Sequence, residues 1–249
     1  MRISVKKRMP RQPPERDFGC ESAREFTRVF TDRSRRFRMR IRPDFGCEFS
    51  ICQKYYYSAT ALFSMKVLGI SFSYRHGNSQ ALVEHILKGA KDAGAETELI
   101  RFCDLEVKNC KGCGFCKAPG NDTCSIKDDM QDLYKKIDAA DALVFGAPVY
   151  FGRMNAPAYT FIDRLYAKLN PDFSLRISGG KKMAVAVTCG GGPEEDMENI
   201  NKYLTTVGGF FGWESKGLIC GNGLMEKDAV LKCGDKLKEA EKLGKSLTE

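Results

Sequence analysis

The chain has 249 residues, 43% of them hydrophobic, and a formal charge of +8, enough for one sizeable α/β domain plus an extra segment. No apolar run approaches the ~20 residues that span a bilayer, no secretory leader pattern opens the chain, and the 11 cysteines are an odd number, which predicts a reducing cytoplasm. The charge argues against a nucleic-acid or membrane role for the body of the protein, because residues 1–64 carry 15 Lys+Arg against 7 Asp+Glu and residues 65–249 carry 25 of each.

Arginine usage breaks at the same place, with 12 Arg to 3 Lys before Met65 and 5 to 20 from there on. The first 64 residues, with TDRSRRFRMRIRP and PERDF, show no sustained helical or strand period. Three readings compete for them: upstream sequence attached by a misplaced start, which the abrupt change at Met65 favours; a basic disordered arm touching nucleic acid or anionic lipid; and a small added domain. Cys20, Cys47 and Cys52 lack ligand spacing and read as incidental.

From Lys66 the pattern is orderly. KVLGIS reads as a short buried strand, SYRHGNS as a turn, and QALVEHILKGAKDAG as a helix. A strand feeding a Ser/Gly/Asn-rich turn and then a helix offers backbone N–H groups and the positive helix end to an anion. Ser71, Ser73 and Ser79 supply hydroxyls, Arg75 a charge, Gly77 close approach and Asn78 a helix cap. The loop is neither GxGxxG nor GxxxxGK[ST], so a monophosphate suits it better than a dinucleotide or a nucleoside triphosphate. Without a ligand the same residues would simply cap a surface helix. His76 and His85 read as ordinary loop and helix histidines.

ETELIRF is the second strand, and an insert at about 103–126 follows it. The insert contains NCKGCGFCKAPGNDTC, which places Cys110, Cys113, Cys116 and Cys124 within fifteen residues. CxxCxxC plus one more cysteine suits a cubane [4Fe-4S] cluster, since two-residue spacers turn consecutive thiolates toward one compact core. Structural zinc sites more often split their ligands into two separated CxxC pairs, and zinc stays open as the alternative. Gly112, Gly114 and Gly120 keep the wrapping backbone pliable. Cys103 is a weaker ligand candidate, and Asp128 with Gln131 reads as a capping-box variant opening the next helix.

Three strands remain, ALVFGAP, KKMAVAVTC and KGLICG, separated by helical patterns at DDMQDLYKKIDAA, NAPAYTFIDRLYAKL and PEEDMENINKYLTTVGG. A final helix covers EKDAVLKCGDKLKEAEKLGKSL. This alternation predicts a doubly wound parallel sheet with ligands beyond the strand carboxyl ends. After the third strand, Pro148, Val149, Tyr150, Phe151 and Gly152 offer an unusual turn and flat apolar faces for a planar ring. After the fourth, Thr188 and the glycines Gly190, Gly191 and Gly192 let backbone approach that ring. Cys189 reads as a small buried residue, and Glu194, Glu195 and Asp196 as partners of a helix dipole.

With SFSYRHGNS, CKGCGFC followed by CSIKDDM, GAPVYFGRMNAPAYTFIDR and TCGGGPEE, the chain from Met65 onward resembles the iron-sulfur flavoproteins, in the NAD(P)H-dependent FMN reductase branch of the flavodoxin-like fold. The resemblance implies a five-stranded parallel sheet of order 2-1-3-4-5. It implies FMN on Ser71, Ser73, Arg75, Gly77, Asn78 and Ser79 and on the 148–152 loop, a [4Fe-4S] cluster on Cys110, Cys113, Cys116 and Cys124, and a homo-oligomer. The reading that follows is an FMN-dependent oxidoreductase passing electrons between flavin and cluster, with ferredoxin or NAD(P)H as donor and no catalytic acid–base side chain. Two alternatives stand beside it: an NAD(P)H-dependent FMN or quinone reductase whose cysteines hold zinc or nothing, and a redox-sensing regulator with a basic nucleic-acid-binding arm.

Overall fold

A computed structural model describes residues 64–249; the expectations for the preceding segment, with its Cys20, Cys47 and Cys52, lie outside the described residues. Strand β1 (Lys66–Ser71) leads to helix α1 (Asn78–Asp92) and strand β2 (Glu96–Arg101), and the cysteine insert then runs to α2 (Met130–Ala139). Next come β3 (Ala142–Tyr150), the two-residue β4 (Arg153–Met154), α3 (Ala156–Leu165), β5 (Lys182–Thr188), α4 (Glu194–Phe210), β6 (Glu214–Gly221) and α5 (Gly234–Ser246). The main strands pair in parallel in the order β2-β1-β3-β5-β6, with β4 antiparallel to β3. Five long strands therefore have the expected order, and the sixth is a hairpin stub grown from β3. The final helical pattern is divided: a 3-10 turn (Ala229–Lys232) ends at Cys233, and α5 begins at Gly234, a residue that weakens a helix interior and so marks the break.

Successive strand residues face opposite sides. Leu143 and Phe145 of β3 and Met183, Val185 and Val187 of β5 join Phe72, Ile137, Phe161, Leu165, Ile200 and Trp213 in one apolar layer, which α2, α3 and α4 cover. Val144, Ala184 and Ala186 join Leu82, Val83, Ile86 and Ala240 in the other, beneath α1 and α5. Each large side chain fully buried in this way contributes roughly 1.5–3 kcal/mol.

The second layer is close-packed because it is built from small residues. A Cβ at Gly146 would overlap the Val83 side chain, and one at Gly69 would lie 2.8 Å from both Val83 and Leu87. Helices α1 and α5 interlock reciprocally: a Cβ at Gly89 would collide with the Glu241 carbonyl, and one at Gly244 with the Ile86 carbonyl. This packing fixes the start of α1, and with it the candidate phosphate loop, against the carboxyl end of the sheet.

Candidate cofactor site and cysteine insert

Three loops at the strand carboxyl ends and one beyond β6 converge on a pocket of about 450 Å³, open to solvent, lined by Ser73, Arg75, Gly77, Asn78, Ser79, Pro148, Val149, Tyr150, Thr188, Cys189, Gly190, Leu224, Glu226 and Lys227. At one end, α1 begins with Gly77 as its extended N-cap and no acidic residue in the first turn, so its free N–H groups and positive dipole end stay available to an anion. Helix α4 starts with Glu194, Glu195 and Asp196, which satisfy its own dipole and repel anions. Arg75 forms no ion pair among the described residues, so its charge also stays available at this end. Pro148 and Val149 add apolar lining.

Ser79 and Thr188 share a buried hydroxyl hydrogen bond of 2.7 Å, which ties the phosphate loop to β5. Ser71 is different: it is wholly buried within β1, its Oγ has no partner, and it stays out of the pocket. A strand residue one position short of the loop points into the protein rather than toward the lining. Asn78 is not a cap either. Its Nδ2 donates to the Leu224 and Glu226 carbonyls at 3.2 and 2.8 Å, and its Oδ1 accepts from the Val230 amide at 3.0 Å. Cys189, Leu224, Glu226 and Lys227 are the lining residues that sequence reasoning missed; for the last three the available signal was Gly221 and Gly223 flanking one more strand carboxyl end.

Beyond Tyr150 the chain folds straight back, pairing Tyr150 with Arg153. Phe151 and Gly152 at the tip have φ of 52° and 71°, the signature of a type I′ hairpin turn. A Cβ at Gly152 would come within 2.9 Å of the Asp196 carboxyl. Phe151 occupies the left-handed region at a cost of about 1 kcal/mol, and its ring is fully solvent-exposed. Phe151, Gly152, Gly191 and Gly192 thus lie outside the pocket lining. Cys189 is buried as expected, but it also lines the pocket, with its thiol donating to Asn222 Oδ1 at 3.2 Å.

The insert is rooted by a charge pair, where the sequence suggested only a helix cap. Arg164 and Asp128, with side chains 0% and 2% exposed, form a bidentate pair at 2.6 and 2.9 Å. Arg164 also donates to the Lys108 carbonyl at 2.7 Å, and Asp128 accepts from the Lys108 amide at 2.9 Å. Burial works against the Asp128 charge, but Arg164 and the Lys108 amide together hold its carboxyl below the usual range. The N-cap is Asp129 rather than Asp128, and it makes no side-chain cap. Gln131 clamps the preceding segment instead, donating to the Cys124 and Ile126 carbonyls at 3.0 and 2.7 Å.

Within the insert, Cys110 and Cys113 are exposed, Cys116 is half-buried and Cys124 is buried. The donor chemistry fits a thiolate-bound metal. Amides of Gly112 and Ile126 point at the sulfurs of Cys110 and Cys124, each at 3.5 Å. The Phe115 amide, with the Ser125 hydroxyl, holds the Cys113 thiol below its usual range, and Gly112 and Gly114 take positive φ. The four sulfurs are not gathered, however: among the described residues no group of three or more His, Cys, Asp or Glu converges on one point. Cys103 is a poor ligand, because burial, with Asp104 beside it, pushes its thiol up to about 11, and it donates to the Phe72 carbonyl at 3.1 Å.

The model of the NADPH-dependent FMN reductase family matches residues 65–212, more than half of the chain. An iron-sulfur flavoprotein of Methanocaldococcus jannaschii is 39% identical over 141 residues, covering 56% of this chain and 72% of the relative. The chain belongs to the iron-sulfur flavoprotein family. Another member, from Archaeoglobus fulgidus, is 31% identical over 188 residues, covering 74% of this chain and 80% of its own length. The family's fold extends to solved structures of low identity. An NAD(P)H:quinone oxidoreductase from Methanothermobacter marburgensis superposes with a TM-score of 0.58 at 18% identity, over 75% of this chain and 97% of that one. An FMN-dependent NADH-azoreductase from Bacillus anthracis in complex with FMN gives 0.55 at 17%, over 74% and 100%. The chain is thus an oxidoreductase of flavodoxin-like fold.

Proposed function

We propose that this oxidoreductase binds FMN in the pocket between α1 and the loops after β3, β5 and β6, and passes electrons between that flavin and a [4Fe-4S] cluster on Cys110, Cys113, Cys116 and Cys124. The observation that carries the reading is the join between the two sites. Cys103, in the first turn of the cysteine insert, donates to the Phe72 carbonyl at 3.1 Å, and Arg101, just before it, donates to the Tyr74 carbonyl at 3.3 Å. The root of the cysteine loop is thereby hydrogen-bonded to the phosphate loop. The names of the relatives support the cluster, and the open-ended α1 with Arg75 supports the phosphate.

Bound FMN takes a hydride or two electrons and releases them singly, while a cubane cluster carries one electron at a time. The chain's own part is positional. Ser73, Arg75, Gly77 and Ser79 would hold the phosphate, and Pro148, Val149, Tyr150, Thr188, Cys189 and Gly190 would border the ring. The Gly112 and Ile126 amides stabilise ligating sulfurs and tune their potential. Ferredoxin or NAD(P)H is the donor, the working unit is a homodimer or homotetramer, and the setting is a reducing cytoplasm. No helix of the described residues is long and apolar enough to cross a membrane.

The ungathered sulfurs favour one second reading, an NAD(P)H-dependent FMN or quinone reductase whose cysteines hold zinc or no metal. Anaerobic purification with iron, sulfide, zinc and FMN quantification separates the two. FMN with iron and sulfide supports the relay; FMN with zinc alone, or with no metal, supports the second reading.

A further inference from the structure

The wall formed by the loop after β6, residues 222–228, lies beyond residue 212, where the match to the family model ends, yet it is bound to the pocket at every point of approach. The Leu224 amide donates to the Cys189 carbonyl at 2.9 Å. Asn222 Nδ2 donates to the Gly192 carbonyl at 2.9 Å, and its Oδ1 accepts from the Cys189 thiol. Met225 sits over Gly190 so closely that a Cβ there would overlap its sulfur. Asn78, the first residue of α1, completes the attachment with hydrogen bonds to Leu224, Glu226 and Val230. A residue in the position of a phosphate-loop cap spends its whole side chain on a loop far along the chain.

The consequence is electrostatic. The wall brings Lys227 to the lining of the same pocket as Arg75, along with the Glu226 carboxylate; the Lys227 side chain is 63% exposed and its ammonium lies a loose 3.9 Å from Asp228. We infer that residues 222–228 are a specificity element for the phosphorylated form of the flavin: Lys227 supplies a second cation to the phosphate, and Asn78 is the positioning residue that holds it there. This rests on the FMN reading above and extends it to the discrimination between FMN and riboflavin, which differ only in the phosphate. Charge-assisted contacts discriminate strongly when held in place, and here the holding is done by side chain to backbone hydrogen bonds from the phosphate loop itself.

The test is flavin titration of the full chain, stripped of bound flavin, following fluorescence quenching with FMN and with riboflavin. For wild type, K227Q, N78A and the N78A/K227Q double variant, thermal unfolding checks that each is folded. K227Q lowers FMN affinity about tenfold, the scale of one charged hydrogen bond, and leaves riboflavin affinity unchanged. N78A loses the same discrimination, and the double variant resembles N78A alone, because without the latch Lys227 is no longer delivered. Unchanged FMN selectivity in K227Q, or independent additive losses in the double variant, would overturn the specificity element while leaving FMN binding intact. Wild type that binds neither flavin would overturn the FMN reading itself, and the proposal with it.

Discussion

Replacing Asp128 with Asn tests whether the buried pair with Arg164 roots the cysteine insert. Both side chains are essentially solvent-free, and Asp128 also accepts from the Lys108 and Met130 amides. The substitution leaves a guanidinium buried without its counter-charge, and breaking such a pair costs about 3–5 kcal/mol. At roughly 2–4 °C per kcal/mol for a chain of this size, the melting temperature falls by about 6–20 °C. Replacing both partners with apolar residues, as in D128L/R164M, costs less than the single change, because no charge is left stranded. Acid acts in the same direction. The folded-state pKa of Asp128 is depressed, so its contribution is complete above the unfolded carboxylate value and is lost as pH falls through the folded value; the difference between wild type and D128N should shrink below about pH 4. Urea unfolding at neutral and acid pH measures both effects. A neutral-pH loss under about 1 kcal/mol, or a double variant worse than the single, would refute the reasoning.

Adding a methyl group at Gly89 or Gly244 forces α1 and α5 apart and should cost about 1–3 kcal/mol in chemical denaturation, since each Cβ meets a backbone carbonyl that cannot swing away. Phe151→Gly relieves about 1 kcal/mol of left-handed strain but loosens the unfolded chain by about 0.4–1 kcal/mol, so stability should rise by no more than about 0.6 kcal/mol, with Tyr150 and the pocket unchanged. Thr188→Val strands the Ser79 hydroxyl in a buried site and should destabilise by about 1–3 kcal/mol. In metal-free protein at neutral pH, Cys113 should alkylate at least about tenfold faster than Cys103, because the Phe115 amide lowers the one thiol while burial raises the other; timed labelling with peptide mass spectrometry reads the order.

The parts of this protein that were legible in the sequence are those written locally. The five long strands and the first four helices follow from apolar runs and turn residues within a few positions, and the loop between β1 and α1 follows from strand, turn and helix in succession. The site residues that went astray did so for reasons of direction and distance. Ser71 sits one position before the loop, and the pleat turns it into the core. Phe151 follows Tyr150, but the tight turn sends it to solvent. Asn78 looks like a cap, and its partners lie 146 to 152 positions away, so no local pattern joins it to the wall at 222–228. Asp128 misleads in the same way, because Arg164 claims it from 36 positions on. The cysteine spacing carries the donor chemistry alone; it does not bring the four sulfurs together, and among the described residues they are not gathered.

The pairing of flavin and cluster in one chain is the central claim, and anaerobic purification of the full chain with quantification of FMN, iron and acid-labile sulfide tests it most directly. The account predicts about one FMN with about four iron and four sulfide per chain, the metal and sulfide disappearing in C110S, C113S, C116S and C124S while FMN is retained. A wild-type chain full of FMN but free of iron and sulfide would contradict it.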